Sequence, residues 1–345
     1  MRKHHRQCIA CLTCLFWLIN LLALTSASAR AQAAPHSSNL LPASSKLFEF
    51  HSAFWVNLHH FLYVQARARL NTPDSRRRAV AKVRAEMAEE SKLSSEERRN
   101  WEAALDYYKR EVASLDLIFD ERLVALTNKI AAQESAPALR SSGLDPALIR
   151  ALESAAPIYR SLWWPRHESA NRAWIAMIDP LLQKYGASLA EQITKAYQTS
   201  WPTQPFRVDV CAYANWAGAY TVDTSARITL SSLDEGNSGT QGLEALFHES
   251  LHVLEVNVVA ELQRQAKAHG KGVPRLLSHA LIFYTAGELT RRTVPGHKPY
   301  AVTHDLWSGE PWSKYWQVLQ TYWQPYLDGK AGFSEALKQI VNAAS

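Results

Sequence analysis

Apolar residues recur at three- and four-residue spacing along the chain as far as about residue 200, which is typical of amphipathic helices. Ser94 and Glu97 have the spacing of a capping box at one helix start. Asp145 followed by Pro146 supplies an N-cap and a first-turn proline at another. The predicted helices of this part are Phe48–Ala66, the helix that follows Ser94, Leu115–Gln133, the helix that follows Asp145, one between Pro165 and Gly186, and Leu189–Tyr197.

The pattern changes near Pro205. Residues 207–213 alternate between apolar and polar positions, as a half-buried strand does, and residues 219–222 and 228–230 predict two more short strands. Helical spacing then returns over Gln241–Ala268, Arg275–Arg292, Lys314–Tyr326 and Phe333–Ala343. We therefore predict a predominantly helical α+β protein, with a helical N-terminal region over residues 35–204 and a second domain over residues 205–345 that contains a small sheet.

The first 34 residues have the features of a secretory signal peptide. A basic start precedes an apolar run of 17 residues from Cys8 to Leu24, and small residues at alternate positions from Ala27 to Ala33 fit a cleavage region. The run is shorter than the roughly 20 residues that a spanning helix needs, so an uncleaved anchor is the alternative. The sequence predicts export to a periplasm or to the exterior, with no stable membrane anchor after cleavage.

Removal of this segment changes the charge and the cysteine content. The formal charge of +6 includes four basic residues of the leader, so the mature chain carries about +2. That balance gives no nucleic-acid footprint. Cys211 is the one cysteine that follows the leader, so the mature chain forms no disulfide within itself. Apolar residues make up 47% of the chain, which excludes a disordered protein and indicates a globular core.

The candidate chemistry lies on the helix predicted over Gln241–Ala268. Residues 248–252 read His-Glu-Ser-Leu-His, and a spacing of four places His248 and His252 on one helical face. Two neutral imidazoles in this arrangement bind one Zn²⁺, and Glu249 beside them accepts a proton from a zinc-activated water. The motif predicts one Zn²⁺ per chain, and the alternative interpretation is a pair of core histidines without a metal.

A catalytic zinc needs a third protein ligand, and Glu255, His279 and Glu288 are the candidates. Glu255 lies about 10.5 Å along the helix axis from His248, which is too far for one ion. Glu288 is favoured because it is an acidic residue in an apolar run, where a metal is a suitable partner. Ala286 and Gly287 beside it are small and let the two helices approach closely. The alternatives are His279 as the ligand, or an ion pair of Glu288 with Arg291 or Arg292.

The motif, together with a later glutamate on another helix, resembles the gluzincin class of zinc metallopeptidases over about residues 205–300. This resemblance implies a zincin-like catalytic domain with His248, His252 and Glu288 as metal ligands and Glu249 as the general base. It also implies a sheet edge that pairs with an extended peptide substrate, for which residues 215–220 are the candidate. A tyrosine or histidine that stabilises the developing oxyanion is a further feature of the class. Tyr300 is our first choice for that role, with His304 and Tyr284 as alternatives.

The predicted function is that of an exported zinc-dependent hydrolase, most simply a metallopeptidase acting on a peptide or protein substrate. Two other functions fit the same residues. One is a zinc hydrolase that cleaves an amide bond outside peptides, and the other is a catalytically silent zincin-like binding protein. Glu249 argues against the silent form, because a carboxylate beside the metal has little use without a water to activate.

Overall fold

The computed structural model describes residues 47–70, 81, 83–215 and 217–344. The predicted signal peptide, residues 1–34, and residues 35–46 after it lie outside these described residues. All described residues belong to one compact unit, Leu41–Ser345. No helix within the described ranges has the length and apolar character needed to cross a membrane.

The fold is predominantly helical, and residues 83–89 are helical in addition to the elements labelled here. In chain order the labelled helices are α1 Phe54–Ala68, α2 Ser95–Glu111, α3 Glu121–Ala131, α4 Pro146–Leu162, α5 Trp164–Leu181, α6 Ala187–Ala196, α7 Gly239–Leu254, α8 Val256–Ala268, α9 Leu277–Thr293, α10 Tyr300–Thr303, α11 Trp312–Val318, α12 Gln324–Leu327 and α13 Phe333–Ala344.

Four short strands form one mixed sheet in the order β1-β2-β4-β3, with bounds β1 Phe48–His51, β2 Phe206–Cys211, β3 Ala219–Val222 and β4 Arg227–Ser231. Strands β1, β2 and β4 are parallel, and β3 is antiparallel to β4 at one edge. The α+β prediction is therefore confirmed. The sheet joins the two regions predicted from the sequence, because β1 precedes residue 204 and pairs with β2, which follows it.

The sheet lies between two hydrophobic cores. Val208 and Val210 of β2 belong to the core that contains the apolar faces of α6, α7 and α9. Cys211 and Tyr220 belong to the other core, which is built around α1, α2 and α4. Helix α1 is buried along almost its whole length, because α2, α3, α4 and β2 all pack around it.

Two helix starts that the sequence predicts are confirmed. Ser94 and Glu97 make both hydrogen bonds of the capping box at α2. Asp145 accepts hydrogen bonds from the backbone N–H groups of Ala147 and Leu148 at the start of α4. The prediction of one helix over Phe48–Ala66 was wrong at its beginning, since Phe48–His51 form β1 and the helix starts at Phe54. Pairing with β2 overrides the helical spacing of these four residues.

Helix α7 lies directly against the sheet. It contacts β3 and β4 on one side, and α5, α6 and α9 pack on its remaining faces. Ten of its residues are buried, among them Leu243, Leu246, Phe247 and Leu251. This packing fixes the direction in which the remaining face of α7 points, and that face carries the two motif histidines.

Candidate metal centre

His248 and His252 project side by side from α7. Their ring centroids are 5.3 Å apart, as expected for residues one helical turn apart. His248 is 8% exposed, and His252 is partly exposed one turn further on. The helix therefore presents two adjacent imidazoles, one buried and one partly exposed, on the face left by its packing against the sheet and the neighbouring helices.

His279 reaches the same place from the first turn of α9. Its ring centroid is 5.3 Å from that of His248 and 5.1 Å from that of His252. The Nε2 atoms of His279 and His248 are 3.3 Å apart. One nitrogen from each of the three rings lies within 4.8 Å of the others, so the three histidines could together hold a metal ion.

Burial keeps all three imidazoles neutral. It lowers the pKa of His248 well below its ordinary value, with a further contribution from His252 and His279. It lowers the pKa of His252 to about 3, with His279 adding to the effect, and the pKa of His279 to about 4. A neutral imidazole carries the lone pair that binds a metal, so the centre is in its ligand form across the neutral pH range.

One pair of these nitrogens has the separation expected for two ligands of a small tetrahedral ion. Two nitrogens bound to Zn²⁺ at about 2.0–2.1 Å in a tetrahedron are about 3.3 Å apart. The Nε2 separation of 3.3 Å between His248 and His279 already has this value. Three histidines could supply three positions of a tetrahedral metal site, and such a set would leave the fourth position open.

Glu288 lies elsewhere. Its carboxylate oxygens are 2.8 Å from Arg291 Nε and 2.7 Å from Arg292 Nε, and these two arginines lower its pKa against the opposing effect of burial. The structure therefore brings His279, and not Glu288, to the motif histidines, and Glu288 makes the ion pairs that were the alternative interpretation. The physical reason is rotation along α9: nine residues are about two and a half turns, so the two side chains point to opposite sides of the helix.

Glu249 points from α7 towards the edge strand. Its side chain is buried, and its carboxylate oxygen lies 2.7 Å from Thr221 Oγ1 on β3. The same hydroxyl is 2.9 Å from the backbone carbonyl oxygen of Glu249. The predicted general base is thus held beside His248 by a contact between helix and strand, and β3 is an edge strand of the sheet.

The three candidates for an oxyanion donor lie in different surroundings. The ring of Tyr300 stacks on Phe283 with centroids 6.1 Å apart and lies 4.2 Å from the ring of His304. Burial raises the pKa of Tyr300, so its hydroxyl keeps its proton. The hydroxyl of Tyr284 donates to Gln324 Oε1 at 2.6 Å, so this residue has a structural partner.

Phe283 is a residue of the site that the sequence analysis did not single out. Its ring centroid is 4.2 Å from His248 and 4.8 Å from His279, and the same ring stacks on Tyr300. Phe283 follows His279 by four positions on α9, so the two share a helical face. That spacing was the signal that could have linked Phe283 to the centre.

No family model, curated protein or solved structure matches this chain.

Proposed function

We propose that this protein is a zinc-dependent hydrolase that cleaves peptide bonds, with His248, His252 and His279 as the metal ligands. The observation that carries this proposal is the cluster of three neutral histidines, one nitrogen of each lying within 4.8 Å of the others. Zinc is our choice of metal because imidazole ligands and an open tetrahedral geometry suit it. When bound, zinc supplies Lewis acidity that makes a water nucleophilic near neutral pH.

Three residues of the chain would carry out proton transfer, positioning of the general base and stabilisation of the oxyanion. Glu249 would accept the proton of the attacking water and later pass it to the leaving nitrogen, which is the role of a general base followed by that of a general acid. Thr221 would hold the Glu249 carboxylate in place through the 2.7 Å contact. Tyr300 would donate a hydrogen bond to the oxyanion, for which its protonated hydroxyl is suited.

The sheet edge supports a peptide as the substrate. Strand β3 is antiparallel to β4 and lies at the edge of the sheet. An extended peptide adds to such an edge through main-chain hydrogen bonds. Since Thr221 of β3 contacts Glu249, a peptide paired along β3 would run past the proposed general base.

A mixed sheet with an antiparallel edge strand beside the motif helix also supports the finer assignment of a zincin-like catalytic domain. A histidine as third ligand departs from the glutamate of the gluzincin resemblance. We therefore propose a three-histidine zinc hydrolase rather than membership of that class. Export of the protein, as predicted from residues 1–34, is part of this proposal.

The test uses a quenched fluorogenic peptide library with purified zinc-loaded protein. We expect the wild-type protein to bind about one zinc per chain and to cleave members of the library, and we expect a chelator to abolish cleavage. Glu249→Gln should retain the zinc and lose cleavage by at least about 100-fold, because the proton acceptor is absent. Wild-type protein that binds no zinc, or a Glu249→Gln variant that cleaves as well as the wild type, would refute the proposal.

A further inference from the structure

A buried carboxylate lies one helical turn before His248. Glu244 is 1% exposed, and its Oε2 is 2.6 Å from His297 Nε2. The same oxygen accepts a hydrogen bond from the backbone N–H of Tyr300 at 2.8 Å. His297 is also buried, and its Nδ1 lies 2.9 Å from Thr240 Oγ1. Both ring nitrogens of His297 therefore have partners on α7.

A carboxylate in the core destabilises the fold unless its partners compensate for the lost water. Both partners of the Glu244 oxygen come from one short segment, residues 297–300, which connects α9 to α10. Glu244 therefore fixes this segment to α7 next to the metal centre. The metal ligands require no such attachment, since His248, His252 and His279 lie on α7 and α9 themselves.

Two glycines leave the space that this arrangement needs. A Cβ atom on Gly287 would lie 2.8 Å from the Cβ of Pro299 and 3.1 Å from Glu244 Oε1. A Cβ atom on Gly236 would lie 2.8 Å from Cε2 of Tyr300. Thus the backbone of Tyr300 is held by Glu244, the segment before it packs on Gly287, and its ring packs closely on Gly236.

We propose that Glu244, together with His297, is a positioning residue that places Tyr300 for catalysis at the three-histidine centre. The inference rests on the proposed function and extends it to residues that neither bind the metal nor touch the substrate. Glu244 acts through the backbone N–H of Tyr300, and the Tyr300 ring is in turn held against Phe283, which contacts the rings of His248 and His279.

The experiment is a double-mutant cycle with Glu244→Leu, Tyr300→Phe and the combined variant, all zinc-loaded. Turnover is measured on the library peptide that the wild type cleaves fastest, and the affinity for acetohydroxamate is measured by calorimetry. We expect Tyr300→Phe to lower kcat by about 100-fold and Glu244→Leu by at least about tenfold, with little change in KM and about one zinc per chain in each. The combined variant should be no slower than Tyr300→Phe, because both changes remove the same function, the hydrogen bond from a correctly placed Tyr300.

The acetohydroxamate affinity should fall in all three variants and in the same order as kcat, which gives a readout that does not depend on turnover. Glu90→Leu is the matched control, since this carboxylate is partly buried against Arg69 among the N-terminal helices, and it should keep wild-type kcat. If Glu244→Leu does not fold, Gly287→Ala tests the same segment and should combine with Tyr300→Phe in the same non-additive way. Effects that multiply in the cycle, or an unchanged kcat in Glu244→Leu, would overturn this inference while leaving the proposed function intact. Wild-type protein without zinc or cleavage would instead refute the proposed function.

Discussion

At the scale of single residues, the centre consists of three neutral imidazoles, with no carboxylate in the group that could hold a metal among the described residues. If a divalent cation bound there, neutral ligands would leave its full charge on the site. An anionic third ligand would reduce that charge and with it the acidity of a bound water. The choice between His279 and Glu288 therefore bears on reactivity as well as on affinity.

Paired substitutions on α9 test this choice. We expect His279→Ala to weaken zinc binding by more than about 100-fold, because the loss of an outer partner of a ligand alone costs about 10–100-fold. Glu288→Ala should leave zinc affinity within about twofold of the wild type, since its carboxylate pairs with Arg291 and Arg292. Zinc titration against a competing chelator measures both. The reverse order of effects would return Glu288 to the ligand set.

Two of the three histidines of this centre could be predicted from the sequence, because the motif alone places His248 and His252 on one face of a helix. The choice of the third candidate ligand depended on which side of α9 faces α7, and spacing within one helix does not give that orientation. The position of the small residue Ala286 on α9 indicates this orientation. Ala286 follows His279 by seven positions, so it lies on the same face, whereas Glu288 lies opposite to both. The face that allows close helix packing is thus the histidine face.

At the scale of elements, the contact that matters most is the one between β3 and α7. Thr221 is buried, and its hydroxyl is the group through which the edge strand contacts the carboxylate of Glu249. On the other face of the same strand, the hydroxyl of Tyr220 is 2.8 Å from His60 Nε2 of α1. The edge strand is consequently held from both sides, which fixes the position of Thr221 relative to the candidate metal centre.

A change of one hydroxyl tests the strand–helix contact. Thr221→Val has nearly the same shape, and we expect it to retain zinc but to lower kcat by about tenfold or more, as the loss of a hydrogen bond to a charged group is worth about 1.5–3 kcal/mol. Thr221→Ser keeps the hydroxyl and should stay within about threefold of the wild type. The measurement is kcat on the cleaved peptide together with zinc content. Equal kcat in the valine and serine variants would contradict the positioning role.

The elements themselves were predictable where their signals are local. The capping box at α2 and the Asp145–Pro146 start of α4 are written into neighbouring residues, and the structure has both. Strand β1 was not predictable in this way, because its partner β2 lies more than a hundred residues further along the chain. Four residues with mixed spacing form a strand only when a sheet edge is present to receive them.

At the scale of the whole molecule, buried histidines connect stability to pH. His59 and His60 of α1 are fully buried between the sheet and α3 and bond to Tyr108, Thr127 and Tyr220. Burial lowers the pKa of His59 well below its ordinary value and that of His60 to about 4, and the charge of Arg227 contributes to both. The three histidines of the candidate metal centre have lowered pKa values as well.

All of these shifts lower the pKa of a histidine. A histidine with a folded-state pKa of about 4 takes up no proton between pH 6.5 and 4, whereas the unfolded chain does, so the folded state loses stability as pH falls through this window. For His60 alone the loss is about 2 kcal/mol at pH 5 relative to pH 7. We expect urea denaturation of the metal-free protein to show a lower free energy of unfolding at pH 5.

His60→Gln supplies the control for this prediction. It lacks the titrating group, so the difference in unfolding free energy between pH 7 and pH 5 should shrink, whatever its stability at pH 7. A wild-type protein whose unfolding free energy is the same at both pH values would show that these histidines titrate alike in the folded and unfolded states.

The position of His279 has a consequence for the stability of the folded state as a whole. The candidate ligands come from two helices with all of α8 between them, so an ion would bridge parts of the chain that separate on unfolding. Ligand-linked stability then depends on occupancy: at a free zinc concentration of about 100 times the dissociation constant, the folded state gains about 2.7 kcal/mol. The free metal concentration around the protein would then set the stability of the folded state. It would also set the fraction of molecules competent for turnover.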